Sequence, residues 1–231
     1  ESGLLVVADM QSAGRGRRGR GWESPAGTNI YYTLMLKPDF SSDCAPMLTL
    51  VMALSVAKGI RQTLRRDSEE AAAKVGIKWP NDIVVDGKKV CGILTEMSME
   101  QGYIQHIVIG VGINVRKQEF PEEIRDRAAA IDEQCGFRIS RSQLIADIME
   151  AFEEDYEIFL QTHDLKGLRA SYAELLVNQD REVCVLDPKG EYRGIARGIN
   201  DQGELLVERP NGNVEEVYAG EVSVRGIYGY V

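Results

Sequence analysis

Residues 14–20, with the sequence GRGRRGR, place four arginines within six positions of a chain whose net charge is −9. The arginines alternate with glycines, which allow a loop to fold closely over a ligand. Four like charges repel one another in a plain turn, and an anion that enters the loop removes this repulsion. Because the planar guanidinium group binds two oxygens of a phosphate or carboxylate at once, this arginine loop is predicted to close on a small anion.

Two other interpretations of the arginine loop stay open, a nucleic-acid-binding segment and a solvated turn. Runs of arginine and glycine bind phosphate backbones, but the acidic remainder of the chain confines such binding to this one place. The dinucleotide-binding interpretation fails, although Gly14, Gly16 and Gly19 match the spacing G-x-G-x-x-G. The residues that follow, RGWESPAGTN, cannot begin the helix that this motif requires.

The segment KWPND at 78–82 is a second candidate for chemistry. Pro80 cannot donate a ladder hydrogen bond, so this end of the predicted strand is an edge or a bulge. Lys78, next to a tryptophan and close to Asn81 and Asp82, is unusual for packing alone. A surface lysine beside a half-buried tryptophan is the alternative.

The third candidate is GVGIN at 110–114, which lies in a predicted central strand. Gly110 and Gly112 weaken such a strand unless a ligand approaches the backbone closely, and Asn114 ends the strand with a polar side chain. Together the three segments predict a small molecule lying flat on a sheet, with phosphates under the arginine loop. No Ser/His/Asp or Cys/His set suggests itself, so the pattern indicates catalysis by positioning and charge stabilisation.

The hydrophobic pattern predicts an α+β fold, in which a mainly antiparallel sheet packs with helices. Strands are predicted at 3–9 and 29–37, followed by a meander of three strands at 77–85, 90–99 and 103–115. Helices are predicted at 41–66, 140–163 and 164–176, with a polar linker at 67–76, and the acids between 147 and 157 are expected on a solvated face. From residue 178, short strands separated by PKGE, NDQG and PNGN predict a small SH3-like β-barrel. The expected domains are therefore residues 1–177 and 178–231.

Length and composition are typical of a globular protein, with 231 residues of which 44% are hydrophobic and 27% charged. The longest apolar runs, LTLVMAL and IVIGVGI, are too short to span a bilayer, so no membrane association is expected. Four scattered cysteines and two histidines do not match a zinc site. Free thiols in a reducing compartment, and thus a cytoplasmic location, are expected.

Four segments in this order and spacing resemble the biotin protein ligases (biotin–[acetyl-CoA-carboxylase] ligases): QSAGRGRRGRGW at 11–22, KWPNDI at 78–83, GILTE at 92–96 and GVGIN at 110–114. The resemblance runs from about residue 4 to residue 226 and includes a C-terminal SH3-like module that ends in GEVSVR. It implies a class II synthetase-like catalytic domain. It also implies that ATP activates biotin to biotinyl-5′-adenylate, and that biotin then passes to one lysine of a biotin carboxyl carrier domain of a carboxylase.

The resemblance also implies roles for individual residues. Lys78 and Arg17 are expected to be catalytic, because they would act on the biotin carboxylate and the α-phosphate. The residues expected to bind biotin are Gln11, Gly14, Arg15, Gly16, Arg17, Lys78, Gly92, Gly110 and Gly112. The residues expected to bind ATP are Arg17, Arg18, Arg20, Trp22, Asn81, Asn114 and Arg225. Mg²⁺ is expected to accompany ATP, held by phosphates and waters, so no protein metal ligands are predicted.

Two parts of the family pattern would precede the first residue given. One is a Ser-Thr-Asn segment that lines the biotin pocket, and the other is an N-terminal winged helix that makes some members repressors, so DNA binding is expected only if that helix exists. A homodimer is expected, because an outer edge of the meander must be covered. A lipoate or octanoate transferase is the alternative enzyme, but the polar Gln11 and the lack of an RRxSGGG-type loop oppose it.

Overall fold

Two antiparallel sheets form the framework of the computed structural model, which describes residues 2–187, 190–219, 223–226 and 230. The first sheet has six strands in the order β1-β2-β6-β5-β4-β3. Their bounds are β1 Leu4–Ala8, β2 Ile30–Leu36, β3 Val75–Lys78, β4 Asp82–Val85, β5 Lys88–Glu100 and β6 Tyr103–Ile113. The antiparallel meander predicted from the sequence is confirmed in β4, β5 and β6.

The described residues form five α-helices: α1 Met47–Arg65, α2 Glu69–Ala73, α3 Ile131–Cys135, α4 Arg141–Thr162 and α5 Arg169–Leu175. Helix α1 is buried on most of its surface because it packs between the sheet and α4. Together with the turn before it, α1 is long and apolar enough to cross a membrane by length and composition, unlike the shorter runs considered above. However, 72% of its apolar window is buried inside the fold, which is typical of a core helix.

The contact between α1 and α4 contains both a close backbone approach and buried charges. A Cβ atom at Gly59 would lie 2.5 Å from Cγ1 of Ile148, so only glycine fits there. The expectation that the acids between 147 and 157 are all solvated is wrong for two of them. Asp155 is buried in an ion pair with Lys58, and Asp147 is buried in an ion pair with Arg66. Lys58 lies on α1 and Arg66 directly follows it, and a pattern within the acidic helix alone does not show these partners.

Three elements differ from the sequence prediction. The strand predicted at 77–85 is two strands, since residues 79–81 turn the chain through a cis Trp79–Pro80 bond. The predicted polar linker contains α2, which begins because Ser68 Oγ accepts a hydrogen bond from the Ala71 amide. The short helix α3 was missed, because five residues are too few for a helical period.

The second sheet has five strands in the order β10-β9-β8-β7-β11. Their bounds are β7 Glu182–Asp187, β8 Gly190–Ile199, β9 Leu205–Glu208, β10 Val214–Val217 and β11 Ser223–Gly226. All five match predicted short strands, although part of the GEVSVR segment lies outside the described residues. The two sheets meet at Trp79, whose buried Nε1 donates to the carbonyl of Gly203 at 2.9 Å. The KWPND turn is therefore held against the C-terminal module.

Candidate active site

A single row of residues crosses the six-stranded sheet on one face. Directly opposed partners in neighbouring strands are Lys78 with Asp82, Asp82 with Gly92, Gly92 with Gly112, and Gly112 with Tyr31. Opposed residues of an antiparallel pair lie on the same face. The sheet therefore brings KWPND, GILTE and GVGIN side by side, although they are far apart in the sequence.

The middle of this row has no side chains of its own and is covered by Trp22. A Cβ atom at Gly112 would lie 2.4 Å from Nε1 of Trp22, and one at Gly92 would lie 2.9 Å from its Cζ3. We call Gly92 and Gly112 the glycine floor. Nε1 of Trp22 is buried and has no hydrogen-bond partner among the described residues. The glycine floor thus accepts a flat ring at van der Waals contact, and the unpaired donor indicates a polar partner there.

Backbone hydrogen bonds fold the arginine loop back on itself over this floor. The amide of Gly16 donates to the Arg20 carbonyl at 2.7 Å, and the amide of Trp22 donates to the Gly14 carbonyl at 3.0 Å. A Cβ atom at Gly14 would lie 2.2 Å from the Trp22 carbonyl oxygen, so this position requires glycine. The tip, Arg17–Gly19, is a tight turn in which Arg18 has a left-handed backbone conformation with φ of 59°.

Arg17 connects the loop tip to both sheets. Its Nη1 donates to Oδ1 of Asn81 at 2.8 Å, and its Nη2 donates to the carbonyl of Ala219. Nδ2 of Asn81 in turn donates to the Ile93 carbonyl on β5 at 3.0 Å. Burial lowers the pKa of Arg17, and Asp82 opposes this effect. Arg17 is thus a partly buried guanidinium group directed at the row on the sheet.

Three charged side chains, Lys78, Asp82 and Lys89, form a buried group beside the glycine floor, which we call the lysine–aspartate cluster. Nζ of Lys89 lies 2.6 Å from Oδ1 of Asp82 and 5.5 Å from the Trp22 ring. A Cβ atom at Gly92 would lie 3.3 Å from Nζ of Lys89. Lys89 is thus the lysine adjacent to the floor.

Lys78, the lysine singled out from the sequence, lies on β3, one strand beyond Asp82 in the row, and is only 6% exposed. Its ammonium lies 4.3 Å from the ring centroid of Tyr230, and the Tyr230 hydroxyl donates to Oδ2 of Asp82. Burial lowers the pKa of Lys78 to about 8, against the opposing effect of Asp82. Burial alone raises the pKa of Asp82, but Lys89 and Lys78 reverse this, so its net pKa is below the usual value.

The remaining predicted residues lie at different distances from this centre. Gln11 lies at the base of the loop, where its Oε1 accepts a hydrogen bond from Ser24 at 2.8 Å. Arg15 pairs with Glu96 at the surface. A Cβ atom at Gly110 would have the Leu94 carbonyl oxygen, 3.6 Å away, as its nearest neighbour, so Trp22 does not cover it. Arg18 and Arg20 are exposed.

Asn114 and Arg225 complete the set of predicted residues. Asn114 is buried directly after the end of β6. Its backbone N–H donates to the Val90 carbonyl at 2.7 Å, next to Lys89 of the lysine–aspartate cluster. Arg225 is exposed on β11, and its charge contributes to the lowered pKa of Lys78. Both are therefore close enough in space to bear on the site.

Sequence reasoning missed two members of the site, Lys89 and Tyr230. Lys89 belongs to DGKK, which indicates a solvated hairpin turn. Tyr230 lies 148 positions after Asp82, and no local pattern connects the two. Within the described residues, no group of three or more His, Cys, Asp or Glu side chains is arranged to hold a metal ion.

Comparison with known sequences gives consistent matches along most of the chain. Residues 1–114 match the model of the biotin/lipoate A/B protein ligase family, and residues 180–225 match the biotin protein ligase C terminal domain. The bifunctional ligase/repressor BirA of Bacillus subtilis is 36% identical over 96% of this chain, which spans 66% of that protein, just under two thirds. The biotin–[acetyl-CoA-carboxylase] ligase of Paracoccus denitrificans is 30% identical over 96% of this chain and 90% of its own length.

Comparison with solved structures agrees with the sequence matches. The biotin protein ligase from Aquifex aeolicus in complex with biotin and ATP superposes with a TM-score of 0.82 at 30% identity. That match covers 98% of this chain and 90% of the Aquifex chain. The two proteins therefore share the same overall fold.

Proposed function

Because the chain belongs to the biotin protein ligase family, we propose that it activates biotin with ATP and transfers biotin to a lysine of a biotin carboxyl carrier domain. The observation that carries this proposal is the row Lys78–Asp82–Gly92–Gly112 beneath the arginine loop. It combines cationic groups at one end, for a carboxylate and phosphates, with a side-chain-free floor that would take the fused rings of biotin when the Trp22 ring moves off it.

In the first step, a carboxylate oxygen of biotin bonds to the α-phosphorus of ATP, the bond to the bridging oxygen breaks, and pyrophosphate leaves. Both reactants are anions, so their mutual repulsion is a large part of the barrier. Arg17 and the two lysines of the cluster supply fixed positive charge in a partly buried site. One such donor in a preorganised site contributes roughly 3–4 kcal/mol to lowering the barrier.

We assign the position nearest the reacting groups to Lys89 and Arg17, with Lys78 in support. Lys89 is adjacent to the glycine floor, whereas Lys78 lies behind Asp82 as seen from that floor. Asp82 holds the two lysines within one small volume and limits their mutual repulsion. The catalytic role predicted for Lys78 thus becomes a shared role in this proposal.

In the second step, the amine of the acceptor lysine attacks the acyl carbon of the adenylate, and AMP leaves with the bonding electrons. The chain's own contribution here is to keep water from the mixed anhydride. Trp22 and the folded loop cover the floor, so they are suited to shield the adenylate until the acceptor arrives.

Mg²⁺ would accompany ATP and neutralise phosphate charge. Asp82 is the buried carboxylate nearest the proposed phosphate position, and Lys89 and Tyr230 already engage both of its oxygens. We therefore propose that phosphates and waters, rather than a set of protein carboxylates, hold the ion.

Biotin-dependent exchange of labelled pyrophosphate into ATP tests the proposed function. The wild-type protein should catalyse exchange with biotin and not with lipoate or octanoate. Arg17→Ala should reduce exchange by about 100-fold or more, since roughly 3 kcal/mol of charge stabilisation is lost. Arg65→Ala is the matched control, because Arg65 at the end of α1 forms an exposed ion pair with Glu69 of α2. Absence of biotin-dependent exchange would reject the proposal, and exchange with lipoate alone would favour the transferase.

We also propose a homodimer in the cytoplasm. The exposed side chains of Met97, Met99 and Tyr103 at the end of the β5–β6 hairpin offer an apolar surface for a second copy, and all four cysteines are free thiols. Sedimentation velocity with and without biotin and ATP tests the dimer. DNA binding would require a winged helix preceding residue 1, as the ligase/repressor relatives suggest.

A further inference from the structure

Tyr230, the penultimate residue of the chain, lies inside the lysine–aspartate cluster. Its hydroxyl donates to Oδ2 of Asp82. Its ring faces Nζ of Lys78 at 4.3 Å from the centroid, which is a cation–π contact. One side chain from the end of the chain therefore contacts two charged residues of the catalytic sheet.

The contacts of Asp82 are divided between its two oxygens. Lys89 takes Oδ1 at 2.6 Å, and the Tyr230 hydroxyl takes Oδ2. Among the described residues Lys78 has no ion pair and its ammonium donates no hydrogen bond, while the Tyr230 ring lies 4.3 Å from it. Tyr230 thus fills the carboxylate oxygen that Lys78 would otherwise take.

We propose that Tyr230 is a positioning residue of the biotin-activating site, which keeps the Lys78 ammonium apart from the Asp82 carboxylate and available to the anionic substrates. This inference rests on the proposed function. A π face attracts the ammonium more weakly than a carboxylate does in a buried site. An incoming carboxylate or phosphate can therefore recruit Lys78 from the ring without breaking an ion pair.

The surroundings of Lys78 make its protonation sensitive to Tyr230. The ring helps to bury the ammonium, and burial lowers the pKa of Lys78 to about 8. Replacing Tyr230 by leucine removes the hydroxyl from Asp82 and lets Lys78 pair with that carboxylate, which raises the lysine pKa. The charged groups that face Lys78 are Asp82 from β4, Lys89 from β5, Arg225 from β11 and Arg17 from the arginine loop.

The test measures pyrophosphate exchange from pH 6.5 to 9.5 in the full chain and two variants, Tyr230→Phe and Tyr230→Leu. Tyr230→Phe keeps the ring but frees Oδ2 of Asp82, so kcat/KM for ATP should fall about tenfold. Tyr230→Leu should lose a further factor of about ten, and the alkaline limb of its pH profile should move to higher pH. Tyr218→Phe is the control, since Tyr218 lies in the same module and is 53% exposed.

A second measurement does not depend on activity. The Lys78 side chain, assigned in the NMR spectrum by comparison with Lys78→Arg, should titrate near pH 8 in the wild type and higher in Tyr230→Leu. Unchanged titration, unchanged kinetics or faster exchange in both variants would each overturn the inference. A variant that loses thermal stability while the alkaline limb of its pH profile stays in place would also overturn it, because that result indicates a purely structural role for Tyr230. If the wild type and Tyr218→Phe do not exchange either, the proposed function itself fails.

Discussion

Replacing Lys78 by methionine should make the protein more stable while weakening its activity. Lys78 is 6% exposed, and burial lowers its pKa from 10.5 to about 8. That difference corresponds to about 3 kcal/mol by which the native state disfavours the charged form relative to the neutral form. Methionine has a similar length and no charge, so at pH 7 the variant should gain up to about 3 kcal/mol of unfolding free energy.

The gain should depend on pH in a defined direction. Below pH 8, Lys78 is protonated in both the native and the unfolded state, and the full cost of burial is present. Between about pH 8 and 10.5 the native state loses the proton first, so the unfolded state binds more protons and wild-type stability rises with pH. The advantage of Lys78→Met should therefore shrink towards zero across this window.

Urea denaturation of both proteins at pH 7, 9 and 10 measures this difference directly. Other groups that titrate there, such as Cys91, whose pKa is raised by burial, are common to both proteins and cancel in the comparison. Biotin-dependent exchange by the variant should fall, since a cation is lost from the site. A variant that is less stable at pH 7, or a stability difference that stays constant up to pH 10, would refute the buried-lysine argument.

Two further predictions concern the helix contact and the arginine loop. Gly59→Ala should lower the unfolding free energy by about 1–3 kcal/mol, because the new Cβ would lie 2.8 Å from the Ile148 Cα and N atoms. Urea denaturation should show no such loss for Gly21→Ala, where nothing lies within 4 Å. Trypsin should cut the exposed loop at Arg18 and Arg20, and biotin plus ATP should slow cleavage; equal rates with and without ligands would contradict loop closure.

The periodic spacing of hydrophobic residues predicted most of the helices and strands. The long helices α1 and α4 and the strands β5 and β6 follow from clear repeats, and the turn signals separated the short strands of the C-terminal module. This spacing did not predict which polar residues are buried. Asp147 and Asp155 occur in an acidic helical face, and their basic partners, Arg66 and Lys58, lie directly after α1 and on α1. Such partners are specified by tertiary packing, which a one-dimensional pattern does not contain.

The sequence predicted only part of the site, because here too the tertiary contacts are not contained in a local pattern. The arginine loop and the glycine-containing strands are local patterns, and the structure brings Arg17, Asn81 and the glycine floor together. The contact of Tyr230 with Asp82 joins residues from two different modules. Composition and spacing carry no signal for it, because neither residue requires the other to form its own local structure.

Lys89 was missed because of one irregularity in the sheet. With strict alternation, Lys89 would share a face with Cys91 and Ile93, which are buried in the core. However, Ile83 pairs with Cys91 while the next residue, Val84, pairs with Lys89, so Val90 is an extra residue in β5. This β-bulge shifts the alternation by one and turns Lys89 onto the face of Asp82 and Gly92. The lysine beside the glycine floor therefore owes its position to the bulge.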